Sequence, residues 1–302
     1  MSASAAPPAP LDSDTPNVNI VRLRPLSSIA LIVTTLVGIG AFVWTLLARP
    51  DQVGSASAHQ TDAPWLLIVL LPLLVVTILG EMTAGRLDAK AVALLGVLAA
   101  VGTALRLPTG GVAGLELVFF VFLPGGRVFG RGFGFVLGAT TIFASALVVG
   151  GIGPWLPFQM FAAGWVGFGA GCLPRATGRR ELALLGAYGV AAGLLYGVAL
   201  DLWFWPFSSA GTTMSFVAGD GLVDNLRRFW AFHLSTALGF DLMRGLSMVM
   251  LMSILGRPTL AALRRASRRA HFDTIHAGIV PAEDIQATAI SRGRNGPAPG
   301  DS

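Results

Sequence analysis

Pro108-Thr109-Gly110-Gly111, Glu116-Leu117-Val118-Phe119-Phe120-Val121-Phe122-Leu123-Pro124 and Gly125-Gly126-Arg127-Val128-Phe129-Gly130-Arg131-Gly132 follow one another within the stretch 107–171, and their order decides the fold. The apolar run is too short to cross a bilayer, which takes about 20 apolar residues in a helix. A Gly-rich turn precedes it and a Gly/Arg joint follows. After one full-length apolar segment the chain reaches Gly153-Pro154-Trp155-Leu156-Pro157-Phe158-Gln159-Met160, which leads straight into another. Irregular backbone at membrane depth is tolerated only where protein or a wet pocket satisfies it. The stretch therefore reads as the scaffold of a small-molecule site inside a helical membrane protein.

The composition agrees. Of 302 residues, 54% are hydrophobic and 12% charged, about half the charged share of a soluble domain. The fold expected is all-α and polytopic. The first twenty residues are rich in Pro, Ala, Ser and Asp, with no basic start before an apolar run, so no cleavable secretion signal is expected. A single cysteine, Cys172, excludes an internal disulfide and a Cys-cluster metal site. The four histidines are scattered, with no i, i+4 pair around a carboxylate, so no metal centre is expected. The net charge of +5 does not imply nucleic acid, because the arginines sit at segment ends rather than in one patch.

Eight apolar segments are expected, at 27–48, 64–82, 89–106, 113–124, 132–151, 155–173, 181–204 and 229–256. An even number places both termini on one side. On that side fall Arg22, Arg24, Arg86, Lys90, Arg127, Arg131, Arg175, Arg179, Arg180, Arg257, Arg264, Arg265, Arg268 and Arg269. Arg49, Arg106, Arg227 and Arg228 fall on the other. Positive residues near segment ends collect in the cytosol, so both termini are expected there, in a multi-pass protein of the plasma membrane. The outward loops are then 49–63, 107–112, 152–154 and 205–228. The aromatics around the last loop read either as interface anchors or as the lining or lid of an external site.

Glycines recur at four-residue spacing as Gly130, Gly134, Gly138 and as Gly189, Gly193, Gly197, with a third run at Gly164, Gly167 and Gly171. These read as close helix packing. Ala89, Ala93, Gly96, Ala100 and Ala104 form a smooth face, for packing inside the chain or for docking another membrane protein. Residues 257–270 read as a basic amphipathic helix on the cytosolic surface, and residues 1–26 and 271–302 as disordered cytosolic tails.

Ionisable groups inside the membrane need a reason, since each costs about 2.5–3.5 kcal/mol on insertion scales. Asp241 and Arg244 stand at i, i+3 and read as a pair on one helix face. His233 reads as a satisfied packing residue. Glu116 has no local partner; it contacts either substrate or a neighbouring helix. Asp201 lies near the outer end of its segment. No Walker-type phosphate loop is present, so ATP hydrolysis is not expected of this chain.

The block 117–130, with Gly132-Phe133-Gly134-Phe135 and Gly153–Met160, resembles the membrane-embedded substrate-binding S components of energy-coupling-factor (ECF) vitamin transporters, in particular the actinobacterial cobalamin-type group. The resemblance covers about residues 88–256 and implies a six-helix S-component-like bundle, with two additional N-terminal transmembrane helices at 27–87. It also implies that partners do the work. A transmembrane coupling subunit and two cytosolic ATPases would topple the S component in the lipid bilayer and release the vitamin inside. The family's Ala-x-x-x-Ala docking surface matches Ala89 and Ala93. Its gating loop matches Pro108, Thr109, Gly110 and Gly111.

Substrate contacts are expected from Gln159 and Trp155, which lie in the matching motif, and from Glu116, Trp203, Trp205 and Asn225, chosen by position. Gln159 both donates and accepts hydrogen bonds, and tryptophan offers flat stacking area with one N–H. No catalytic residue and no cofactor is implied. Two other readings remain. One is a membrane-embedded enzyme acting on lipid or polyprenyl substrates through Glu116, Asp241 or His233; it wants a polar cluster at one depth, whereas these groups are scattered along the sequence. The other is a stand-alone secondary transporter, for which one interrupted segment without a matching second half is weak support.

Overall fold

A computed structural model describes residues 25–47, 89–108, 114–208, 212–217 and 219–277, with further helical positions at 68, 69, 72 and 76. Thr109, Gly110, Gly111, most of the segment 64–82 and residues 1–24 and 278–302 lie outside the described residues; of the expected tails 1–26 and 271–302, residues 25–26 and 271–277 are helical instead. The described helices are α1 (Pro25–Leu47), α2 (Ala89–Arg106), α3 (Phe119–Phe129), α4 (Arg131–Val149), α5 (Leu156–Cys172), α6 (Gly178–Ser208), α7 (Leu222–Thr236) and α8 (Leu238–Ala277). No strand occurs among the described residues. Among the described residues three stretches, Arg131–Val149, Gly178–Pro206 and Leu238–Arg268, are long and apolar enough to cross a membrane. The chain is a helical membrane protein.

The short apolar run becomes α3, 11 residues with every side chain buried. At 1.5 Å per residue it is about 16 Å long, half a hydrocarbon core. It survives because α2, α4, α5, α6 and α8 all pack against it. Gly130, at φ 98, turns the chain from α3 into α4, a conformation that suits glycine alone. The joint lets α3 and α4 fold back on each other as a hairpin.

Close approach is made by the small residues. A side chain on Gly126 or Gly134 would meet the Gly167 carbonyl, and one on Gly138 the Ala163 carbonyl. On α6, Gly189 faces Met248, Gly193 faces Arg244 and Gly197 faces Asp241. The glycine runs thus serve packing between α3, α4 and α5, and between α6 and α8. These contacts also give the directions: α1, α2, α4 and α6 run one way, α3, α5 and α8 the other. One end of the bundle gathers Lys90, Arg127, Arg131, the 175–180 arginines and the α8 arginines from Arg257 onward. Glu181 ties that end together, accepting from Arg127 at 2.9 Å and from Arg264 at 2.6 and 2.8 Å.

The chain departs from expectation at its last segment. The run 229–256 is not one helix. It breaks at Ala237, where Ser235 and Thr236 turn their hydroxyls back onto the Ala231 and Phe232 carbonyls, a bonding pattern that competes with helix continuation. The preceding α7 buries Asn225, Phe229 and His233 at i, i+4, i+8. It is an amphipathic helix packed against α6 and α8. Nor does the chain break at 256. Helix α8 carries through Pro258 to Ala277, so the basic stretch 257–270 continues a spanning helix and is pinned to α6 by the Arg264–Glu181 bonds.

Candidate functional site

The candidate site lies where α2, α4 and α6 end and α3, α5 and α8 begin. Arg106, in the last turn of α2, donates through Nη1 to Ser145 Oγ on α4 at 2.7 Å and through Nη2 to Gln159 Oε1 on α5 at 2.9 Å. Three helices are thereby joined by one guanidinium. The residue before Gln159, Phe158, meets the Trp203 ring at 5.2 Å.

Beside this lies a second charged group. Gly114, at φ 77, sits so close to the Phe240 backbone that a side chain would strike its carbonyl. This fastens the approach to α3 onto the first turn of α8 and places Glu116 against Arg244. Arg244 Nε stands 3.2 Å from Glu116 Oε2, an ion contact, and Nη2 donates to Oε1 at 3.4 Å. Arg244 Nη1 donates to Asp241 Oδ1 at 2.5 Å and to the Gly193 carbonyl at 3.0 Å. The guanidinium also lies over the Tyr196 ring at 5.1 Å, a cation–π arrangement.

The charged chain continues. His233 Nε2 stands 3.6 Å from Asp241 Oδ2, while Nδ1 shares a 2.7 Å hydrogen bond with Asp201 Oδ2. Glu116, Arg244, Asp241, His233 and Asp201 therefore form one series drawn from the α3 approach, α6, α7 and α8. Asp241, Arg244 and His233 are each at most 7% exposed. Removing one member strands a buried charge, which costs about 3–5 kcal/mol.

The six expected substrate contacts divide. Gln159, Glu116 and Trp203 come to this end of the bundle: Gln159 accepts from Arg106, Glu116 from Arg244, and the Trp203 ring meets Phe158. Trp155 is 41% exposed and donates Nε1 to the Gly151 carbonyl of its own turn. Trp205 is fully buried, donating to the Met214 carbonyl between the rings of Phe216 and Phe229. Asn225 is buried and clamps the backbone N–H and carbonyl of Val217. These last two hold α7 and the segment before it onto α6. Pro108 is exposed at the end of α2; Ala93 is exposed with Gly96, Ala100 and Ala104, and Ala89 begins the same helix. The Asp241–Arg244 pair expected from its spacing is present. Nothing in the local sequence marks Ser145, Tyr196 or the Asp201–His233 bond as part of a site, and Arg106 is not among the expected contacts. Arg106 carried a signal, as one of four basic residues on the charge-poor side.

No protein-family model, no curated protein and no solved structure matches this chain.

Proposed function

We propose that this chain is the substrate-binding S component of an ECF-type importer, capturing a vitamin or related micronutrient, cobalamin first, at the end of the bundle where Arg106, Gln159 and Glu116 meet. The observation that carries the reading is that convergence: Gln159, taken from the matching motif, accepts from Arg106, and Glu116, taken by position, pairs with Arg244, both at helix ends on the same end of the bundle. An apolar site with a few placed polar groups suits a small ligand. In this reading α2–α6 and α8 are the six family helices, α7 caps them, and α1 with the segment 64–82 is an addition. The basic end faces the cytosol by the positive-inside rule, with both termini on that side of the plasma membrane. The smooth α2 face, exposed along Ala93, Gly96, Ala100 and Ala104, is free to dock the coupling subunit that two ATPases drive.

The test is mass spectrometry of small molecules that co-purify with the detergent-solubilised protein, followed by titration. A stoichiometric vitamin, lost in a folded Gln159→Ala variant, supports the reading. A protein that arrives empty and binds none of a vitamin panel sinks it. A membrane-embedded enzyme is the second reading, favoured by the gathering of Glu116, Asp241 and His233 into one cluster. Against it stands the burial of Asp241 and His233, which keeps a lipid headgroup from reaching them. Lipid turnover by the purified chain decides for it.

A further inference from the structure

At the basic end, an open cleft of about 630 Å³ runs between the start of α6 and the far half of α8. Four arginines line it, Arg257, Arg264, Arg265 and Arg268, together with Leu182 and Leu260. At 100° per residue the four arginines fall within about 100° of the α8 circumference, so they share one face. Among the described residues one carboxylate, Glu181, reaches the cleft, and it is spent: it is 1% exposed and already accepts from both Arg127 and Arg264. Among the described residues no carboxylate pairs with Arg257, Arg265 or Arg268. Three positive charges crowded on one wall repel one another until an anion enters.

The depth of the cleft says which anion. The α6 span Gly178–Pro206 has 29 residues, about 43 Å of helix, against about 30 Å of hydrocarbon and 40–45 Å with the headgroups included. The Gly178 end therefore lies at headgroup level. On the same side of α8, one turn and more toward the membrane centre, Leu246, Met250 and Ile254 are each 61–62% exposed. By helical geometry this apolar stripe continues the arginine face. A molecule with a phosphate at one end and acyl chains at the other fits both.

We propose that the cleft binds the phosphodiester headgroup of an anionic phospholipid, held by Arg257, Arg265 and Arg268 with its chains along Leu246, Met250 and Ile254. Basic pockets between helices on the cytoplasmic side have this use. The site shares no residue with the vitamin site, so it stands or falls separately.

The experiment is native mass spectrometry of the full chain released from nanodiscs of dioleoyl phosphatidylcholine doped with dioleoyl phosphatidylglycerol. A triple variant, Arg257→Gln with Arg265→Gln and Arg268→Gln, spares the Arg127–Glu181–Arg264 cluster. Retention of phosphatidylglycerol over phosphatidylcholine is expected in the wild type. At about one unit of headgroup attraction per arginine, the triple variant should weaken it roughly a hundredfold. Equal retention of both lipids by the wild type, which needs no variant to fold, overturns the proposal. So does unchanged retention in a variant with unaltered thermal unfolding. If soluble glycerol 3-phosphate at millimolar concentration displaces the lipid, the cleft serves free phosphate and the lipid assignment fails.

Discussion

His233 on α7 and Asp201 on α6 share a 2.7 Å hydrogen bond across 32 positions of sequence, and it fastens the amphipathic helix to the spanning bundle. The other ring nitrogen faces Asp241 on α8 at 3.6 Å. One imidazole thus sits between the carboxylates of two spanning helices.

Replacing His233 by Ala should free α7 while the spanning helices stay assembled. Loss of a buried, charge-assisted partner costs about 3–5 kcal/mol, felt chiefly across residues 222–236. Hydrogen exchange in detergent reads it directly. Amide protection of α7 that matches the wild type would show that Phe229 and Asn225 hold the helix without the imidazole.

The Arg244 contacts should behave as a unit. Arg244→Leu alone strands Glu116 and Asp241 and should cost about 3–5 kcal/mol. Adding Glu116→Leu and Asp241→Leu should recover most of that loss, since apolar replacement of a whole buried cluster is often neutral or better. Unfolding midpoints in one detergent compare the single and triple variants. A triple variant less stable than the single rules out stranded charge as the cause.

Two glycines on one stripe should respond differently to alanine. At Gly197 the new methyl would overlap the Asp241 carboxylate, whereas at Gly193 it meets the flexible Arg244 chain at 3.5 Å. Gly197→Ala should therefore cost about 1–3 kcal/mol, the usual cost of overpacking, and Gly193→Ala less. Equal midpoints for both would mean that α8 shifts to make room.

Ligand binding should separate the tryptophans from the polar pair. On the proposed function, Arg106→Gln or Gln159→Ala should weaken binding of the vitamin about tenfold or more, as loss of a hydrogen bond to a charged group does. Trp155→Ala, at an exposed turn, should change it less. Trp205→Ala should act on stability, by about 3–5 kcal/mol, as large buried aromatics do. Titration alongside thermal unfolding distinguishes the two kinds of loss.

If the chain is the S component proposed, its coupling depends on the α2 face. Nothing lies within 4 Å of a side chain built on Gly96, so Gly96→Leu should leave folding and vitamin binding intact. Co-purification of the coupling subunit should nevertheless be lost. A stable complex carrying Gly96→Leu would remove this face from the interface.

Much of this was legible from local patterns. Apolar runs marked the helices, four-residue glycine spacing marked the helix crossings, and i, i+3 spacing marked Asp241 with Arg244. Each is a property of one segment read against helix geometry. The rest depends on contacts between segments distant in sequence. Glu116 finds Arg244 across 128 positions and Arg106 finds Gln159 across 53, and no local pattern encodes such a meeting. Helix α7 was concealed for a different reason. Phe229, Trp230 and Phe232 extended the apolar run of the next helix backward, while the break at Ala237 carries neither Gly nor Pro to mark it.

The burial of α3 also bears on how the chain is made. Arg127, inside that helix, finds its carboxylate in Glu181, which follows 54 residues later. At about 5–20 residues per second, translation delivers that partner some 3 to 11 seconds after the arginine. Through this interval Arg127, at the headgroup level of the basic end, has water and lipid phosphates for partners in place of Glu181. The hairpin of α3 and α4 thus reaches its final partner only when α6 has been made and closes the bundle around it.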